Sequence, residues 1–247
     1  MKPTLLIVNS KDRLSGSSTD FNYQIKYYGK EEIQSYRIGK ITIPYSFYNI
    51  QQQYFRFYYN GSPAIVDIPA GNYSAQSLVN YLQTEISNDV GAPVTFTYSS
   101  ITNKFTVSVP IPNNFYFDFI HDTPYQYSLY RALGFPKITT VATTYVSPNC
   151  ANLNASDNLY IFSQALSFYS PSIFNTQRNN VIQLVPIIVN PFNFIFYENQ
   201  QSIEFPTDFQ TICTFDIKLL DDYGEVVDLN GLDWTFEIQL YNPMGDK

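Results

Sequence analysis

Residues able to do chemistry are few in this 247-residue chain, and their spacing is uninformative. His121 is the single histidine, so any Ser-His-Asp or Cys-His mechanism would have to pass through it. It sits in Phe119-Ile120-His121-Asp122-Thr123-Pro124, which reads as a strand end running into a turn. No Gly-x-Ser-x-Gly elbow is present. Cys150 and Cys213 have no sequence neighbour that would activate a thiolate, and two cysteines make no disulfide framework. They are read as two buried free thiols. One histidine and two distant cysteines also fall short of a zinc cluster. The acidic run Asp221-Asp222-Tyr223-Gly224-Glu225, with Asp228 beyond it, lacks the spacing and terminal glutamate of an EF-hand loop. It reads as a turn around Gly224. Gly16 stands alone between serines, so no phosphate-binding loop is present. A glycosidase needs two opposed carboxylates, and none can be paired from the sequence. No catalytic, cofactor-binding or metal-ligating residue is assigned, and the expectation is a protein that is not an enzyme and needs no cofactor.

Composition narrows the field. Lys plus Arg number 14 against 21 Asp plus Glu, for a net charge of −7. A nucleic-acid footprint needs a basic face, and an anionic membrane surface attracts basic segments, so neither partner is expected. No stretch approaches the roughly 20 apolar residues of a membrane-spanning helix. Leu5-Leu6-Ile7-Val8 is too short for a secretory h-region, so synthesis in the cytoplasm is expected.

The elements that must carry these side chains are mostly strands. Phe21, Tyr23 and Ile25 alternate with polar residues; Tyr36, Ile38 and Lys40 share one face of the next segment, and Phe55, Phe57 and Tyr59 share a face of another. Asn60-Gly61 follows, a strong hairpin signal, and the chain returns through Ile65, Val66 and Ile68. Cys213, Phe215, Ile217 and Leu219 share one face, and so do Trp234, Phe236, Ile238 and Leu240. Side chains on one face of a strand recur every second residue, so each set can cover one side of a core. Short strands separated by Pro and Gly point to an all-β sandwich or barrel. One segment breaks the rhythm. After Ser74, a good N-cap, Leu78, Leu82 and Ile86 recur at four-residue spacing, which predicts an amphipathic helix over about 74–87. A hairpin over about 94–109 follows, and a shorter helix is expected from Tyr125 to Leu133, closing at Gly134. The Gln51-Gln52-Gln53 and Gln200-Gln201 tracts read as polar turns.

Charged residues make up 14% of the chain, against roughly 25% for a typical soluble domain, while aromatics reach 17%. Charge is depleted and Tyr and Phe are enriched at the centres of protein interfaces. Much of the surface is therefore expected to be buried against other subunits.

Several runs in order resemble a known family. Asn9-Ser10-Lys11-Asp12-Arg13, followed by Ser17-Ser18-Thr19-Asp20-Phe21-Asn22-Tyr23, resembles the opening of the minor capsid proteins of virophages and polinton-like viruses. Ile43-Pro44-Tyr45-Ser46-Phe47-Tyr48-Asn49-Ile50 and Ile68-Pro69-Ala70-Gly71-Asn72-Tyr73-Ser74 look like their next segments. Leu133-Gly134-Phe135 and the closing Asp228-Leu229-Asn230-Gly231-Leu232-Asp233-Trp234 are similar too. Mavirus-like members of this family are pentons, which fill the fivefold vertices of icosahedral capsids. The resemblance implies a single jelly-roll domain over 1–247, two four-stranded antiparallel sheets face to face. It also implies homopentamers at capsid vertices beside a major capsid protein, and so a place in the virion. The helix and hairpin exceed what eight strands require, and an insertion over 61–150 is expected. A second reading is a carbohydrate-binding β-sandwich, with a host glycan as receptor, which exposed tyrosine platforms would favour. A glycoside hydrolase on a jelly roll ranks third.

Overall fold

A computed structural model describes residues 4–25, 33–120, 129–167, 180–200, 204–209 and 214–241. The chain divides into two compact units, Met1–Phe47 with Ser156–Lys247, and Tyr48–Ala155.

The first unit holds two antiparallel sheets. One runs β1 (Thr4–Asn9), β16 (Thr235–Tyr241), β4 (Ile33–Pro44), β13 (Phe194–Glu198), and β14 (Phe205–Phe209) also pairs with β4. The other runs β12 (Val181–Pro186), β11 (Asn158–Phe162), β15 (Thr214–Leu220), β3 (Asp20–Gln24), β2 (Ser15–Gly16). Setting aside the two-residue β2, and β14, which pairs with the Ile33–Tyr36 end of β4 while β13 pairs with Lys40–Pro44, eight strands remain. Counted along the chain, first pairs with eighth, second with seventh, third with sixth and fourth with fifth. These four nested antiparallel pairs, split between two sheets, are the winding of a jelly roll. The strand order alone establishes the expected fold.

Alternation sets the inner faces. Phe215, Ile217 and Leu219 are buried in β15, and Phe236, Ile238 and Leu240 in β16. Strand β4 departs from the simple rhythm. Phe236 and Ile238, two apart on β16, face Ile41 and Ile38, three apart on β4. The extra residue is a β-bulge at Gly39-Lys40, and it flips the pleat. Tyr36 and Ile38 stay inside as expected, but Lys40 is exposed and Ile41 and Ile43 continue the inner face.

The ends of the chain lock together at Trp234. Its indole Nε1 donates to the Ser18 carbonyl at 2.8 Å, and its backbone N–H donates to Ser10 Oγ at 3.0 Å. The ring stacks on Phe236 with centroids 5.1 Å apart and meets Phe21 edge-on at 6.3 Å. Asp233 accepts from Ser10 Oγ at 2.8 Å and from Arg13 at 3.2 Å, while Arg13 also donates to the carbonyls of Ser10 and Gly16. The opening and closing runs that carry the family resemblance are thus one hydrogen-bonded cluster.

The second unit lies in sequence between the third and fourth jelly-roll strands. Its sheets are β6 (Ser62–Ile68), β5 (Gln53–Tyr59), β9 (Phe115–Asp118), and β10 (Thr144–Val146), β8 (Lys104–Ser108), β7 (Thr95–Ser99). Helix α1 spans Ala75–Val90, with Ser74 Oγ accepting from the Ser77 N–H and Gly91 left-handed at the other end. Leu78, Val79, Leu82 and Ile86 are its buried face. The helix and hairpin read from the sequence therefore lie inside a larger unit with its own core, running past the 61–150 read for it. Six phenylalanine rings, those of Phe55, Phe57, Phe96, Phe115, Phe119 and Phe135, lie within 6.1 Å of Phe117, centroid to centroid. The second expected helix is seen as α2, Tyr130–Leu133, closing at Gly134; its 125–128 part lies outside the described residues. Gln53 is no turn residue. It starts β5 and is buried, its Oε1 accepting from the Leu129 N–H at 2.8 Å.

Candidate assembly surface

His121 and Cys213 lie outside the described residues. Cys150, read as buried, is exposed, because it follows β10 on the turn Pro148-Asn149 rather than inside a strand. Among the described residues no group of three or more His, Cys, Asp or Glu could hold a metal ion. Among the described residues no helix is long and apolar enough to cross a membrane.

The acidic turn at Gly224 has a structural task. The Asp222 carboxylate accepts from Ser156 Oγ at 2.8 Å, from the Asp157 and Asn158 N–H groups at 2.6 and 3.1 Å, and from the Tyr160 hydroxyl at 3.0 Å. It ties the chain at the start of β11 to the end of β15. Burial pushes the Asp222 pKa up, but these hydrogen bonds outweigh it and leave the carboxyl below its ordinary value. Asp221 goes the other way, raised first by burial against the N–H groups of Glu225 and Tyr223 that lower it, with Glu225 and Asp222 as like-charged neighbours. The sign for Asp222 follows from linkage. Its stabilisation is complete above the unfolded pKa of about 3.9 and is lost as pH falls through the depressed folded value. Asp222→Ala is expected to cost about 2 kcal/mol at neutral pH. Urea titrations at pH 7 and pH 2.5 check it: the gap between variant and parent should narrow at the lower pH.

Large apolar side chains stand in water along both edges of the β1–β16–β4–β13 sheet. On the β13 side Phe192, Phe194 and Phe196 are 82%, 65% and 59% exposed, and Ile188 is 82% exposed. On β1, Leu5 and Ile7 are 52% and 58% exposed. The alternation explains the choice. Ile195 and Val8 point into the core, so their neighbours must point out. Between the two edges the outer face is polar: Glu237 and Gln239 on β16, Arg37 and Thr42 on β4. A monomer whose sheet needed only solubility would carry charged residues at these edges. Strand β1 has none, and β13 has only Glu198.

Tyrosines on the outer face of β5 and β9 are arranged differently from a sugar platform. Tyr58 and Tyr116 stack on each other, centroids 4.3 Å apart and planes 6° from parallel. Each ring spends one face on the other.

No family model matches the chain, and no curated protein matches it. Two solved structures are similar to it. One is a crystal structure of the mavirus penton protein, 9% identical, with a TM-score of 0.47 over 98% of this chain and 92% of that one. The other is a chain of the Sputnik virophage seen by electron cryomicroscopy, 15% identical, with a TM-score of 0.49 over 98% of both chains.

Proposed function

We propose that this chain is a structural protein of an icosahedral virion, a penton of which five copies close each fivefold vertex against the major capsid protein. The observation that carries the reading is the pair of sheet edges bearing exposed phenylalanine, leucine and isoleucine on a jelly roll with little edge charge. Such a surface is costly to leave in water and cheap to bury against another subunit. Each contact needs about 800 Å² per partner, because ring closure and neighbouring capsomers add avidity. The protein acts mechanically in this reading and carries out no reaction. A glycan receptor would call for open tyrosine faces, and in the Tyr58–Tyr116 pair one face of each ring is covered by the other.

Co-expression with the major capsid protein tests the reading. Electron microscopy should place five copies of this chain at each vertex. Particles whose vertices lack it would overturn the reading. The double variant Phe194→Ser, Phe196→Ser should keep its far-UV circular dichroism, since exposed positions change stability by about 0.5 kcal/mol or less. Its incorporation at vertices should fall about tenfold or more.

A further inference from the structure

Copies arranged around a rotation axis meet head to tail, so each must present two unlike surfaces that fit one another. The jelly-roll unit has two such surfaces in one sheet. Among the described residues, β1 and β13 have strands on one side only. Strand β1 is antiparallel to β16, β16 to β4, and β4 to β13, so β1 and β13 run in opposite directions. A second copy set beside the first in the same sense would therefore lay its β1 antiparallel along β13.

The backbone parity agrees. Ser10 donates its N–H to the Trp234 carbonyl, so residues 4, 6, 8 and 10 turn their backbone groups towards β16, and residues 5, 7 and 9 turn theirs to the open edge. On the other edge, Asn193 accepts from the Tyr45 N–H and Asn199 donates to the Gly39 carbonyl, so the odd residues face β4 and residues 194, 196 and 198 face out. The residues with free-edge backbone groups on both strands are the ones with exposed apolar side chains. A single register, Leu5 opposite Phe196 and Ile7 opposite Phe194, then satisfies both at once: ladder hydrogen bonds form and the two apolar pairs close on one face. The Ile7 carbonyl also accepts from the Tyr23 hydroxyl at 3.3 Å, and a carbonyl oxygen has a second lone pair for the new bond. No like charges meet, since the only charged residue on either strand is Glu198.

We infer that adjacent copies join by sheet extension, β13 of one laid antiparallel along β1 of the next in the register Leu5–Phe196 and Ile7–Phe194. The inference rests on the proposal of a ring of copies and names the surfaces that close it.

Cysteine cross-linking tests it in the full chain. Hydrogen-bonded antiparallel partners have Cα atoms about 5.5 Å apart, within the span of a disulfide. In a background with Cys150→Ser and Cys213→Ser, the pair Ile7→Cys and Phe194→Cys is introduced and the assembled protein is oxidised. Non-reducing denaturing gels should show a ladder ending at five chains, and either single variant alone should give none. Phe194→Lys should lower the ring fraction about tenfold, which by the usual conversion is about 1.4 kcal/mol. Five-copy rings without the ladder would overturn the β13–β1 contact and leave the penton reading standing. Dimers from Phe194→Cys alone would show a β13–β13 contact and overturn the inference. A chain that stays single at high concentration and in capsids would overturn both.

Discussion

Trp234→Ala is expected to destabilise the jelly-roll unit by about 3–5 kcal/mol, the range for deleting a large buried aromatic. The side chain is 2% exposed and is the chain's single tryptophan. Three losses add. The cavity forfeits its contacts with Phe21 and Phe236. The Ser18 carbonyl loses its donor. The backbone at 234, whose N–H donates to Ser10 Oγ, loses the side chain that anchors it. Trp234→Phe separates these losses, since it keeps an aromatic ring and removes only the indole donor and part of the volume; about 1–2 kcal/mol is expected. Urea unfolding followed by circular dichroism measures both. Equal costs for the two variants would show that the ring's contacts contribute little and the Ser18 bond contributes most.

This cluster shows what a sequence discloses and what it withholds. Asn9 to Arg13 and Asp228 to Trp234 were recognisable as runs, yet nothing in their spacing says that Ser10 reaches Asp233 across 223 positions. Helix α1 was legible because its determinants are local: the spacing of Leu78, Leu82 and Ile86, a serine before it and a glycine after. The alternation of β15 and β16 was legible for the same reason. Lys40 was misplaced because a bulge depends on the partner strand, and two residues of β4 face one of β16. Gln53 was misplaced because its partner, Leu129, is 76 positions away. Asp222 read as a turn residue because the groups it binds lie 62 to 66 positions off. The assembly surface was the least legible part. Phe194-Ile195-Phe196-Tyr197 is apolar on both faces, so no alternation names the side that meets water. Only the place of β13 at the sheet's edge, with Ile195 taken by the core, leaves Phe194 and Phe196 outside.

Gly134→Ala is expected to destabilise the unit Tyr48–Ala155 by about 3 kcal/mol or more, at a position the sequence marks as the close of the second helix. Gly134 has φ of +70°, the left-handed region that costs a residue with a Cβ about 1–2 kcal/mol. Space adds to the strain. A Cβ there would stand 2.4 Å from the Asn149 carbonyl oxygen and 2.8 Å from that of Cys150, and backbone atoms cannot swing away as a flexible side chain can. The segment is held close by the bonds it makes: the Asn149 N–H donates to the Gly134 carbonyl at 3.2 Å and the Asn152 N–H to that of Ala132 at 3.0 Å. Relief of the clash would break these bonds and pull Phe135 from its place beside Phe117 and Phe119. Trp234 belongs to the other unit, so its fluorescence follows the jelly roll, whereas far-UV circular dichroism follows both. In the Gly134→Ala variant an early dichroism transition is expected at a urea concentration where tryptophan emission is still native. Coincident loss of both signals would show that the two units unfold as one. An unchanged midpoint would show that the chain at Asn149 yields without cost.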